Sequence, residues 1–259
     1  MFERLEGKTT VITGASAGFG HSTALLFAKY GSHLVLLARR RERLDELKSQ
    51  INSKYPNVKV GVYTLDVTDH EAVISVFQQV LKDFPVIDIL VNNAGLALGL
   101  DAVKDVPEST VDTMLNTNVK GLLWVTQQIL PSMISRNSGH IINVGSIAGI
   151  TAYANGSIYC ASKFAVHAIS DSLRIETNAT KIRVSEICPG MAETEFSIVR
   201  FGGDKEKADN FYKGIDPMTG DDIAEVIAFT ASTRTRCVIS NVVAMANGQC
   251  NPFVLHKET

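Results

Sequence analysis

No window of the 259 residues approaches the roughly 20 apolar positions that a membrane-spanning helix requires, which excludes that class of protein. Charge of one sign is also missing. Lys and Arg total 25 against 27 Asp and Glu, so the net charge is −2 and neither nucleic acid nor an anionic membrane is an expected partner. Cysteine is scarce: Cys160, Cys188, Cys237 and Cys250 show no C-x-x-C spacing, so neither a metal site nor a disulfide framework is expected. Met1 to Lys8 holds four charged residues, which does not read as a secretory signal. A reducing, cytoplasmic location follows as the default expectation. Low hydrophobicity, the mark of disorder, is absent as well, since 45% of the residues are hydrophobic and only 20% charged.

What is present alternates between two periods. Apolar strand-like runs fall at Thr9–Thr13, Leu34–Ala38, Val58–Leu65, Ile87–Val91, His140–Val144, Ile182–Ile187 and Val238–Met245. They are continuous rather than alternating, as suits strands buried on both faces of a parallel sheet. Helical patterns lie between them at Phe19–Tyr30, Arg41–Ser53, Glu71–Asp83, Val111–Ser135, Ile158–Thr177 and Asp221–Ser232. The alternation predicts an α/β fold, a doubly wound parallel sheet in one domain. About 30 residues after Pro189-Gly190, to near Gly220, break the rhythm and carry several aromatics; a connection of this length reads as a lid.

The first strand runs into Thr13-Gly14-Ala15-Ser16-Ala17-Gly18-Phe19-Gly20 and then directly into a helix. Glycines at such a turn let backbone approach a pyrophosphate, and the free N–H groups of the helix start receive the anion. The spacing is Gly-x-x-x-Gly-x-Gly, and with Asn92-Asn93-Ala94-Gly95 after the fourth strand it resembles the short-chain dehydrogenase/reductase family. That resemblance covers essentially the whole chain. It implies seven strands, a nicotinamide cofactor over their C-terminal ends, and homo-oligomers (dimers or tetramers) paired through the two long helices.

Tyr-x-x-x-Lys occurs at Tyr159/Lys163 and at Tyr55/Lys59. Only a helix puts positions i and i+4 on one face. Pro56 disfavours helix at Tyr55, whereas Tyr159 opens a Pro- and Gly-free helical pattern, so the first pair is the chemical candidate. A nearby ammonium lowers a phenol's pKa from about 10 and lets it exchange protons with an alcohol or carbonyl. Ser146 and Asn118 match the family's catalytic serine and the residue that positions a relay water beside the lysine.

Where NAD-dependent enzymes carry an acidic residue after strand two, this chain has Ala38 followed by Arg39-Arg40-Arg41. Cations oppose the dipole at a helix start, and a 2′-phosphate would supply the missing negative charge. NADP is therefore the expected cofactor, with Arg39 leading and Arg40 supporting. The resemblance adds Asp66 and Val67 at the adenine and, from the second motif, Asn93, Ala94 and Gly95 as cofactor-binding residues. It also counts Pro189, Gly190, Ala192 and Thr194 among the cofactor-binding residues.

The stretches Asn92–Gly99, Gly139–Gly149 and Glu193–Arg200 resemble, more narrowly, the family's NADP-dependent 3-hydroxy acid dehydrogenases acting on substrates such as L-serine, L-allo-threonine or 3-hydroxypropionate. A small-molecule substrate meeting Ser146 and Tyr159 is implied. Arg200 is the single basic residue between Met191 and Gly203, and it is the candidate for a substrate carboxylate. It reads equally as a solvated cation, and backbone N–H groups could hold the acid instead. A general NADPH carbonyl reductase for uncharged ketones or acyl thioesters, and a non-catalytic NADP sensor, stay open as alternatives.

Overall fold

A computed structural model describes residues 2–257. Its sheet comprises β1 (Thr9–Thr13), β2 (His33–Ala38), β3 (Val60–Thr64), β4 (Ile89–Asn92), β5 (Gly139–Val144), β6 (Ile182–Pro189) and β7 (Asn241–Ala244). All neighbours pair in parallel, in the order β3-β2-β1-β4-β5-β6-β7. The chain winds outward from β1 in one direction and from β4 in the other. The C-terminal ends of these two strands therefore flank the crevice where open α/β sheets bind ligands.

The strands are continuously apolar because each side chain has a layer to enter. Ile12, Leu34, Leu36 and Val91 face α1 (Gly18–Lys29) and α9 (Gly220–Ala231), which contribute Phe27, Ile223 and Ile227. Val11, Val35, Leu37 and Leu90 face the opposite layer, built from α3 (His70–Asp83), α5 (Leu122–Arg136) and α6 (Ser157–Glu176). Burying one such aromatic or aliphatic side chain contributes about 1.5–3 kcal/mol. In α3, Val73, Phe77 and Val80 are buried at helical spacing, and the Asp69 side chain starts the helix by accepting the Ala72 N–H at 3.0 Å. Thr219 and Asp222 form a capping box at the start of α9. The edge strands β3 and β7 are only partly buried, and β7 is shorter than the Val238–Met245 run in the sequence.

Between α2 (Arg41–Lys54) and β3, Tyr55 closes the helix and Lys59 lies outside it, donating to the Asp83 carbonyl at 2.6 Å. The pattern at Val111–Ser135 is interrupted: α4 (Glu108–Leu115) is joined to α5 by a π-helical turn, Asn116–Gly121. The segment after β6 carries two short helices, α7 (Glu195–Arg200) and α8 (Lys205–Phe211). The C-terminal stretch also has a structural part to play. Buried Gln249 accepts the Met191 N–H at 2.8 Å and so ties the chain end to the start of that segment. Among the described residues no helix is long and apolar enough to cross a membrane.

Candidate active site

A cleft of about 320 Å³ runs along the C-terminal strand ends, from Arg39 and Arg40 across the Gly14–Phe19 turn to Tyr159 and Lys163. The turn is locked from behind by the β4 motif. Thr13 Oγ1 accepts the Asn93 and Ala94 N–H groups at 3.0 and 2.9 Å, and Asn93 Nδ2 donates to the Thr13 carbonyl at 2.8 Å. Gly14 has φ +66, and a Cβ there would sit 2.9 Å from Asn93 Nδ2. At Gly20 it would meet the Gly14 carbonyl oxygen at 2.6 Å. Gly14 and Gly20 thus let β1, α1 and the β4 loop meet. The Ala17 cap of α1 forms no side-chain cap bond, which leaves the N–H groups of the helix start to an anion.

At the far end β2 finishes in Ala38, with apolar walls from Leu37, Leu65 and Val67. The residue that ends β2 carries no carboxylate, and two guanidinium groups, Arg39 and Arg40, follow it into the cleft. Arg40 donates from Nε and Nη2 to Ser16 Oγ at 3.3 and 3.2 Å and from Nη1 to Glu195 Oε2 at 2.8 Å. Arg39 is exposed, 4.0 Å from Asp66. Arg41 turns away to Asp45 at 2.8 Å. The three cations are thus not uncompensated at the helix start, as the sequence suggested: each has a carboxylate partner, one of them 155 residues away.

At the near end α6 puts Tyr159 and Lys163 on one face. Lys163 Nζ donates to the Val144 carbonyl at 2.8 Å and lies 5.9 Å from the Tyr159 ring centre. Burial pushes the phenol up to about 12, with the Ser146 hydroxyl and the Arg200 cation pulling the other way. In the chain by itself, burial outweighs both of these opposing groups. Burial also drives Lys163 down, to about 8, against the charges of Cys188 and Glu186. Ser146 caps a short turn by accepting the Ala148 N–H at 3.1 Å. Asn118 sits in the π turn, buried and fully engaged. Its amide accepts the Leu96 N–H at 2.8 Å and donates to the Leu96 carbonyl at 2.8 Å and to Ser162 Oγ at 3.0 Å. π turns of this kind recur at functional sites.

Arg200 ends α7 directly beside Tyr159. Its guanidinium carbon is 5.3 Å from that ring centre and 5.8 Å from the Tyr153 ring, and Nη2 donates to the Tyr153 hydroxyl. Its Nε is buried with no partner among the described residues. Phe196 meets the Tyr159 ring edge-on at 5.8 Å.

Gly14, Ser16, Ala17, Gly18, Phe19, Arg39, Arg40, Asp66, Val67, Asn93, Ala94, Gly95, Thr194, Tyr159 and Lys163 line the cleft together. Gly20, Asn118, Ser146, Pro189, Gly190, Ala192 and Arg200 are not part of that lining. Gly20 packs within the turn, Gly190 packs against Gln249, and Ala192 accepts the Tyr212 hydroxyl at 2.8 Å. Sequence reasoning missed Glu195 and Phe196 on α7 as site residues, and Tyr153, which lies in an irregular loop with no motif around it.

This fold and this cleft define the class of dinucleotide-binding α/β oxidoreductases. The chain belongs to the short chain dehydrogenase family, whose model matches residues 8–201. It is 47% identical over 247 residues to an NADP-dependent 3-hydroxy acid dehydrogenase of Schizosaccharomyces pombe, covering 95% of each chain. It is 41% identical over 252 residues to a serine 3-dehydrogenase of Rhizobium radiobacter, covering 97% of this chain and 99% of the other. Among solved structures it is similar to the closed form of a serine dehydrogenase complexed with NADP+. That pair gives a TM-score of 0.90 at 36% identity and covers 96% of this chain and 100% of the other.

Proposed function

We propose that this protein is an NADP-dependent dehydrogenase that interconverts the C3 alcohol of small 3-hydroxy acids and the corresponding carbonyl. The observation that carries the reading is that the half-buried Tyr159 and the buried Lys163, which line one end of the cleft, stand next to the half-buried cation Arg200. The activities of the two relatives, an NADP-dependent 3-hydroxy acid dehydrogenase and a serine 3-dehydrogenase, support the same chemistry. The donor set fits NADP: a glycine turn at a helix start for the pyrophosphate, and Arg39 and Arg40 for the 2′-phosphate. When bound, the cofactor supplies or accepts the hydride.

The chain's own residues do the rest. With its pKa near 12, Tyr159 holds its proton across the neutral range and can donate it to a carbonyl oxygen during reduction. Ser146 hydrogen-bonds the same oxygen and shares its developing charge. Lys163 stands behind the phenol to restore the proton, and Asn118 braces the Leu96 backbone around it. Arg200 and Tyr153 face the substrate's carboxylate, and Phe196 shields the site from water. The segment 190–220 acts as the lid. In the same reading, copies associate through α5 and α6, where Ile134, Phe164 and Ile175 are exposed, and the free cysteines suit a reducing cytoplasm.

The test is a substrate panel with NADP: L-serine, L-allo-threonine, 3-hydroxypropionate and an uncharged secondary alcohol. The acids should be preferred by at least tenfold in kcat/KM. Equal or better use of the uncharged alcohol would replace this reading with that of a general carbonyl reductase.

A further inference from the structure

Behind the catalytic residues lies a carboxylate that the reaction as described does not use. Glu186, in the middle of β6, is completely buried. Its Oε2 accepts from His167 Nδ1 at 2.7 Å and from Asn241 Nδ2 at 3.1 Å, whereas Oε1 has no partner among the described residues. That oxygen is pressed against the active-site segment: a Cβ on Gly145 would lie 2.2 Å from it. Gly145 needs its lack of a side chain because Glu186 fills that space. On the same peptide unit, the Val144 carbonyl accepts the Lys163 ammonium at 2.8 Å. Ammonium and carboxylate therefore rest on one backbone link, immediately before Ser146.

We propose that Glu186 is a positioning residue of the oxidoreduction, the fixed buried counter-charge of the Lys163 ammonium and the floor under the Val144–Ser146 segment. A buried ammonium without an opposite charge nearby loses its proton readily. Burial pushes Lys163 down to about 8, and the opposing charges are those of Cys188 and Glu186. The Cys188 thiol is itself pushed up to about 12 by burial, so at neutral pH it carries no charge and Glu186 supplies the effect. Arg174 and His167 on α6 also face the carboxylate, with Asp171 beyond His167 at 3.7 Å, and β7 contributes only the neutral Asn241. His167 is partly exposed, so this array connects solvent to the back of the site.

The proposal rests on the Tyr159–Lys163 proton-transfer reading given above. Its test is the pH profile of kcat/KM for carbonyl reduction by the wild type, Glu186→Gln and Glu186→Leu at saturating NADPH. Reduction needs a protonated Lys163, so wild-type activity should fall as pH rises through about 8. Losing the carboxylate should move that alkaline limb down by about half a pH unit or more, with NADPH binding retained. Glu186→Gln keeps the shape and an acceptor for Asn241. Glu186→Leu removes both oxygens, the unpartnered one and the acceptor of His167 and Asn241, and so tests loss of the charge in an apolar variant where a buried amide proves unstable. A lower rate with an unmoved limb would mean a purely structural role and would overturn the proposal, as would a limb displaced to higher pH. A wild-type protein without turnover on any carbonyl would instead overturn the proton-transfer reading, and this proposal with it.

Discussion

Replacing Arg200 by Met keeps most of the apolar stem and deletes only the cation. The guanidinium stands 5.3 Å from the Tyr159 ring centre and has one buried, unpartnered N–H. A charge-assisted hydrogen bond from that group to a substrate carboxylate is worth about 1.5–3 kcal/mol. Arg200 is only partly buried, so solvent screening puts the expectation at the lower end, about 1.5–2 kcal/mol, or a 10- to 30-fold loss in kcat/KM. The loss should appear with 3-hydroxypropionate and L-serine and be nearly absent with an uncharged secondary alcohol. Arg200→Lys should restore part of it. A second consequence concerns pH. The Arg200 cation opposes the burial that raises the Tyr159 pKa, so its removal raises that pKa further. Oxidation needs the phenolate, and its rise with pH should therefore move to higher pH in the variant. Steady-state kinetics with both substrate types across pH would check both effects. Equal losses on charged and uncharged substrates would mean only that α7 had been damaged, and no loss on either would remove Arg200 from substrate binding.

The cofactor end gives a second prediction: Ala38→Asp with Arg39→Ile should raise the KM for NADP and lower that for NAD, since it adds repulsion to a 2′-phosphate and an acceptor for a free 2′-hydroxyl. Unchanged order and ratio of the two KM values would put the phosphate site elsewhere. Stability should depend on pH through His140, which is fully buried beside Ser185 at 2.8 Å and whose pKa burial holds well below its usual value. The unfolded chain binds a proton at about pH 6.5 that the fold refuses. Stability should then fall as pH drops below that value, by up to about 1.4 kcal/mol per pH unit. Urea midpoints should show this slope in the wild type and a shallower one in His140→Gln; equal slopes would refute it.

Most strands and helices were legible in the sequence because both sheet faces are buried and the helices are amphipathic or capped. The exceptions have physical causes. A single π turn at Asn116–Gly121 leaves the apolar spacing around it intact, so the run reads as one helix. The helices α7 and α8 are too short to show a period. At the site, the glycine turn and the Tyr159–Lys163 pair are local patterns and could be found. Tyr55/Lys59 could be set aside because Pro56 forbids their helix. By contrast, Arg40–Glu195, Arg200–Tyr153 and Glu186–His167 are tertiary pairings that no local spacing records. The sequence also made the arginines after Ala38 look electrostatically unsatisfied, because the partners of Arg39 and Arg40 are visible only in the fold, although Asp45 lies one helical turn from Arg41.

The central claim is that Tyr159 is the proton donor and acceptor of an NADP-linked oxidoreduction. Tyr159→Phe deletes one oxygen from a ring that lines the cleft and leaves the rest of the cleft and its arginines in place. The most direct measurement is single-turnover oxidation of bound NADPH by a 3-oxo acid, alongside NADPH affinity, in the wild type and this variant. The account predicts unchanged NADPH affinity and a rate lower by about 100-fold or more, the scale of general acid catalysis. A rate within tenfold of the wild type would contradict it.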